Sequence, residues 1–256
     1  MKKLLYLLLV LLSSVTAYSQ MLFSENLTMT IDSTKTLQGS LMPEIDFKTE
    51  KENVFTFKNT ANLNLLINHN RLINVINKFE LSTYGKQVIL SGGYVHMEYR
   101  YLLVHAFEVY PYVESQWAES RGMIHKISSG LQSRYRLVNT NSSLMFVALG
   151  LFFEYEKWQH PTPEHAYSRS LKTHLSLSYK LQLAKKWGLT TTAIHQGKPD
   201  STYFKEARFG GALDLNYSIT NAIGIRGAYR LIYDTAPIVP IKKDYHSVEV
   251  GLTVSF

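Results

Sequence analysis

The chain contains no cysteine, only seven prolines in 256 residues, and no basic run of five or more. Beyond the first twenty residues it also has no apolar run of the roughly eighteen residues that a spanning helix needs. Each absence excludes something. Without cysteine there can be no disulfides, and no lipid can be attached at a mature N-terminal cysteine. The net charge of +7 is spread along the chain and includes Lys2 and Lys3, so nucleic acid is not an expected partner. No cofactor-binding motif is present, and no cofactor is expected.

The opening residues do have a pattern. Lys2 and Lys3 precede an apolar run from Leu4 to Leu12, and small and polar residues follow, which is the layout of a cleaved secretory signal peptide. Cleavage after Ala17 or Ser19 is compatible with the local residues, so 1–19 is set aside as the leader. Residues 20–35 are expected to form a periplasmic tail or a plug, and 36–256 a membrane domain. Leu27-Thr28-Met29-Thr30-Ile31 alternates, but a thirteenth strand there would disturb the topology set out below.

Seventeen tyrosines and twelve phenylalanines suit strands, whose pleated surface accommodates aromatic rings. From Leu171 to Leu183 apolar residues occupy one parity and Lys172, His174, Ser176, Ser178, Lys180 and Gln182 the other. Alternation of this length places one face in an apolar medium and the other in a polar one. Comparable runs predict twelve strands near 36–47, 54–67, 71–84, 87–101, 105–117, 123–137, 143–156, 167–183, 187–196, 203–218, 222–234 and 245–256. Most exceed the five or six residues usual in globular sheets and meet the nine to eleven of a tilted membrane strand.

The connections alternate as well. Tight turns are expected at Asn68-His69-Asn70, Leu102-Leu103, Asn139-Thr140-Asn141, Ala184-Lys185-Lys186 and Thr220-Asn221. Longer loops fall at Lys48–Asn53, Ala118–Gly122, Lys157–Ala166, Gly197–Thr202 and Thr235–Asp244. Short periplasmic turns, longer external loops and an even strand number describe an all-β, antiparallel up-and-down transmembrane barrel in a bacterial outer membrane. Trp117, Tyr155, Tyr167, Tyr203, Tyr233 and Tyr245 would form an outer aromatic girdle. Tyr99, Tyr101, Tyr135, Trp187, Tyr217 and Phe256 would form an inner one.

The last strand, His246 to Phe256, places apolar residues at every even position and ends on an aromatic carboxyl terminus. This is similar to the strand by which outer-membrane proteins are recognised for assembly, so Phe256 is read as the assembly signal. Outer-membrane lipid and the barrel-assembly machinery are the expected partners. The chain resembles the YdiY-like family of salt-induced outer-membrane proteins of unknown function. The resemblance is carried by Tyr229-Arg230-Leu231-Ile232-Tyr233-Asp234, a proline-containing loop, Lys242-Lys243-Asp244 and the run to Ser255-Phe256. It implies a barrel and brings no catalytic residues.

Counting outward from the turns places charges opposite one another on the polar parity. Glu114 is expected opposite Lys126, Lys126 opposite Glu154, Lys58 opposite Glu80, and Asp214 opposite Arg226, with Arg230 close to Glu249. Glu98, Arg100, Glu108, Arg134 and Arg136 share the inner part of the third to sixth strands. Such pairs either brace the interior or line a path for a small polar solute. The expected role is therefore a small-solute channel or a structural envelope protein. The alternative is a binding or assembly component acting through its external loops. Hydrolase chemistry at His174 and Ser176 has only that spacing behind it, with no Gly-x-Ser-x-Gly elbow, so an enzyme is not expected. The loop His160-Pro161-Thr162-Pro163-Glu164-His165 has imidazoles and a carboxylate but no regular backbone to fix a metal, and none is expected there.

Overall fold

The computed structural model describes residues 35–49, 53–104, 106–119, 122–159, 165–200 and 202–256. Residues 1–19, expected to form a leader, and residues 20–34 lie outside this set, as does most of the 160–165 loop.

Twelve strands follow one another along the chain: β1 (Leu37–Thr49), β2 (Asn53–Asn68), β3 (Arg71–Tyr84), β4 (Gln87–Val104), β5 (Phe107–Ala118) and β6 (Met123–Asn139), then β7 (Ser143–Gln159), β8 (His165–Ala184), β9 (Trp187–Gly197), β10 (Ala207–Ser218), β11 (Ile223–Asp234) and β12 (Asp244–Ser255). Each pairs antiparallel with its sequence neighbours, and β1 pairs with β12, so the sheet closes into a barrel without free edges. Closure satisfies every wall in a medium that supplies no hydrogen bonds.

The period-two pattern sets the two faces. Along β7 and β8 the outward residues Leu149, Leu151, Phe153, Leu171, Leu175 and Leu177 are all exposed. Large exposed apolar side chains continue around the wall through Leu63, Val95, Leu131, Leu213, Ile225 and Val250. A continuous apolar belt of this kind is far larger than a water-exposed patch tolerates, and hydrocarbon is the medium that fits it. The opposite parity is buried and polar: Asn62, Asn74, Glu98, Glu114, Lys126, Glu154, Arg208 and Asp214 all point inward.

Three local expectations are corrected. β4 runs on to Val104, and Leu102–Leu103 lies in the strand, where a register shift between Leu102 and Val104 absorbs an extra residue. β10 starts at Ala207 rather than 203 because the preceding residues are held in turns. The Asp200 carboxylate accepts from the Thr202 amide (2.7 Å) and hydroxyl (2.6 Å), and Lys205 and Glu206 both donate backbone bonds to the Thr202 carbonyl at 2.8 Å. These local bonds compete with the ladder. Finally, Tyr245 faces inward against Ile194, Ala212 and Ile232 rather than joining the outer girdle. The inward face of β9 to β12 has a small apolar cluster there, so an aromatic residue at that place does not mark the lipid face.

The loop asymmetry is weaker in the first half of the barrel, where β1 and β2 are separated at the outer end by only residues 50–52. β3 and β4 join at the outer end through Gly85 and Lys86 alone, and Gly85 adopts φ 59°, which a two-residue hairpin demands of its first central residue.

The seam between β1 and β12 is the shortest in the wall. It pairs Ser40 with Ser255 and Leu41 with Val254, and Gly39 and Phe256 exchange backbone bonds of 3.1 and 3.0 Å. A Cβ on Gly39 would stand 2.4 Å from the Phe256 ring, so the glycine makes room for the terminal aromatic. By contrast β7 and β8 are paired continuously from Ser143↔Leu181 to Gln159↔His165.

Candidate functional site: the barrel interior

The inner-turn end of the lumen is open and polar. A cavity of about 580 Å³ lies there, lined among others by Ser40, Asn62, Asn139, Lys180, Asn216 and Arg226. Above it, charged and amide side chains meet one another inside the barrel.

On one wall Asn74 donates through its amide to Asn62 (2.6 Å) and Asn64 (2.8 Å). Beyond β1, on β10 and β11, Asp214 is ion-paired with Arg226 and lies 3.7 Å from Arg230, which in turn holds Glu249 at 3.1 Å. Lys78 on β3 joins the same Glu249 on β12, passing in front of β1 and β2. Lys58 and Glu80 are directly opposed in register and 3.2 Å apart.

On β4 to β6, adjoining β3, Arg100 pairs with Glu98, and Arg134 and Arg136 with Glu108. The Arg134 guanidinium also lies over Phe146 at 4.3 Å and Tyr110 at 5.1 Å. His96 bridges Glu114 (3.1 Å) and Glu98 (3.4 Å).

Lys126 lies 3.9 Å from Glu114 and 3.2 Å from Glu154, but neither pair is directly opposed. In the ladder Glu114 faces Ser128, Lys126 faces Gln116 and Glu156, and Asp214 faces Ala228. Each of these turns is centred one residue later than counting suggests, which shifts the register by two. Parity survives a shift of two, so the charges still share a face and meet diagonally, within reach of long side chains.

The most saturated group is Arg208 on β10, which the sequence did not single out. Its Nη1 donates to both oxygens of Glu154 (3.0 and 3.1 Å) and its Nη2 to both of Glu156 (2.9 Å each), while Nε donates to Asp234 at 2.9 Å. Both glutamates stand on β7, with β9 and β8 intervening, so the side chain forms a chord across the lumen. Lys172 adds a 2.5 Å contact to Glu154. Arg208 is 4% exposed and both glutamates 1%, so water is kept off this cluster.

Above the chord sits a lid. The β11–β12 loop carries Ile238, Val239 and Ile241 over to Ala118, Met123, Trp158 and Ala166 on β5 to β8, on the far side of the mouth. Val239 is 4% exposed and Trp158 1%. Pro237 and Pro240 restrict the backbone on either side of the seated residues. Neither the lid nor the Arg208 chord could be reached by counting from turns, because both depend on how the sheet curls.

His174 and Ser176 do share the inward face of β8. The imidazole meets the Gln196 amide at 3.3 Å, and Ser176 faces Ala148 and Ile194 in the ladders. Among the described residues no three His, Asp or Glu side chains gather as a metal site. Phe256 faces outward and is half-exposed at the seam.

No family model matches the chain, and no curated protein matches it. Among solved structures it is similar to the NanC porin, with a TM-score of 0.51 at 10% identity over 85% of this chain and 98% of that one. It is also similar to the translocator domain of the autotransporter NalP from Neisseria meningitidis, with a TM-score of 0.52 at 11% identity over 85% and 87%. Both likenesses concern the fold, and they agree with the apolar belt and the closed wall. The chain is a bacterial outer-membrane β-barrel. Membrane lipid is accordingly the medium of the barrel's outer surface.

Proposed function

We propose that this barrel is a narrow outer-membrane channel for small polar solutes that is closed at rest. The carrying observation is the Arg208 chord, with five hydrogen bonds to Glu154, Glu156 and Asp234. An open diffusion pore of this strand number would leave such groups wetted, whereas here they are sequestered. The similarity to the NanC porin supports the channel class, and the mixed signs of the interior support a pathway without strong ion selectivity. The same observation favours a second reading, in which the paired charges only brace the wall of a structural envelope protein.

Planar-bilayer recording separates the two. The native chain should show few or no current steps at neutral pH, and E154Q/E156Q/R208Q should show frequent ones. Steady porin-like current through the native chain would overturn closure. Silence from both proteins would leave the bracing reading and remove the channel.

Assembly through Phe256 and the barrel-assembly machinery belongs to the same proposal. It is supported by the outward, half-exposed aromatic at the end of an alternating strand. Membership of the YdiY-like family is likewise proposed, on the residues of β11, β12 and the loop between them. No enzymatic role is proposed.

A further inference from the structure

At the longer-loop end of β7 and β8 both outward charges, Lys157 and Arg169, are positive, while the inward face there carries Glu154 and Glu156 together with Lys172. Tyr155 is opposed to Arg169 and Lys157 to Tyr167, so the two cations and two rings form a crossed square on adjacent strands. The Arg169 guanidinium lies 5.4 Å from the Tyr155 ring centre and the Lys157 ammonium 5.8 Å from that of Tyr167. Two imidazoles flank the square. His125 of β6 is opposed to Lys157, and His165 meets the Tyr167 ring edge-on at 6.4 Å. Among the described residues neither cation has a carboxylate partner, and the next outward residues below are Phe153, Leu171 and Ile127.

Position sharpens the question of what neutralises them. From Tyr155 down to Met145 is ten residues of β7, whose outward members face lipid. At about 3.3 Å per residue and a tilt of about 40°, this is roughly 25 Å of height, the thickness of the apolar band of an outer-membrane barrel. The square therefore stands at the upper edge of the hydrocarbon, where water is scarce and headgroups are dense. Rings under the cations hold them in place without cancelling their charge. The inner rim differs, with single cations on separate strand pairs: Arg71 lies over Tyr101, and Lys186 over Tyr217, where it also donates to the Ile219 carbonyl.

We infer that Lys157 and Arg169, with the Tyr155 and Tyr167 hydroxyls beside them, form a binding site for the phosphate of an outer-leaflet lipid. A guanidinium and an ammonium together suit a tetrahedral oxyanion, one by two parallel donors and the other as a point charge. His125 and His165 widen the donor set toward a large, multiply charged headgroup.

The test uses the purified full chain in detergent micelles, titrated with bis-phosphorylated lipid A, with the same lipid after dephosphorylation, and with inorganic phosphate. Only the phosphorylated lipid should bind measurably. K157A/R169A should weaken it about thirtyfold, as expected for two cations at a membrane surface, and K157R/R169K should keep the native affinity. Equal binding of the dephosphorylated lipid, or unchanged affinity in the alanine variant, would overturn the site. Inorganic phosphate binding as tightly as the lipid would overturn the lipid as its ligand. The dephosphorylated arm needs only the native protein, so it decides even if the alanine variant does not fold.

Discussion

Arg208 and Glu156 meet through both carboxylate oxygens at 2.9 Å, although they stand on β10 and β7 with two strands between them. One guanidinium nitrogen shared between both oxygens of a carboxylate this far round a barrel ties two parts of the wall whose backbones are not paired.

Breaking it from one side leaves buried charge without compensation. R208A should lower unfolding stability in micelles by about 3–5 kcal/mol, because Glu154, Glu156 and Asp234 lose their shared partner. E156Q/D234N/R208M should recover most of that loss, since Glu154 keeps Lys126 and Lys172 while the other two carboxylates are neutral. Urea midpoints at one detergent concentration would show the two effects, and equal loss in both variants would refute the account.

The lid should govern access from outside. Val239 is enclosed by Trp158, Met123 and Ala118, so V239D places a charge in an apolar seat and should lift the loop. The chain has no cysteine of its own, so S128C introduces a single thiol at a buried inward position. A charged thiol reagent added externally should react slowly with S128C and faster with S128C/V239D. Equal rates would show that the loop does not cover the mouth.

Two glycines that both make close approaches should respond differently to alanine. At Gly39 the added Cβ meets the Phe256 ring, a terminal side chain that can swing away. At Gly130 it meets the Leu151 carbonyl at 2.5 Å and the Phe152 Cβ at 2.5 Å, which are held by the β6–β7 ladder. G130A should cost about 1–3 kcal/mol, in the range of overpacked cores, and G39A less. A larger loss in G39A than in G130A, by the same unfolding assay, would contradict this.

Asn74 supplies hydrogens to two amide oxygens, those of Asn62 and Asn64. N74A should cost about 1–3 kcal/mol by leaving those acceptors unmet. N74D should cost more, since an ionised carboxylate would face two oxygens instead of donating to them. Thermal unfolding of the two variants side by side would check the order.

The strands were legible because the membrane imposes a period of two on every one of them. Leu171 to Leu183 shows this without help from any other part of the chain. Turn centres were legible only to within a residue, and one residue of error moved Glu114 from Lys126 to Ser128 in the ladder while leaving its face unchanged. Contacts along the wall therefore survived the error as diagonals. Contacts across the lumen, such as Arg208 with Glu156 or Val239 with Trp158, depend on curvature and diameter, and no local pattern reports these. Tyr245 shows the converse failure, since its aromatic character suits the interior of this end as well as a lipid interface.

The short β1–β12 seam also orders events in time. Every other pairing joins neighbours in the chain and can form hairpin by hairpin with small loops. Ser40 must find Ser255 across nearly the whole barrel domain. Loop-closure entropy grows by about 0.6 kcal/mol for each doubling of the enclosed length, so this is the contact with the greatest entropic penalty and the fewest bonds to offset it. The curled sheet should thus form first and its two margins meet last. Until they do, Gly39 and Phe256 belong to exposed strand edges, and whatever shields those edges sets the pace of maturation.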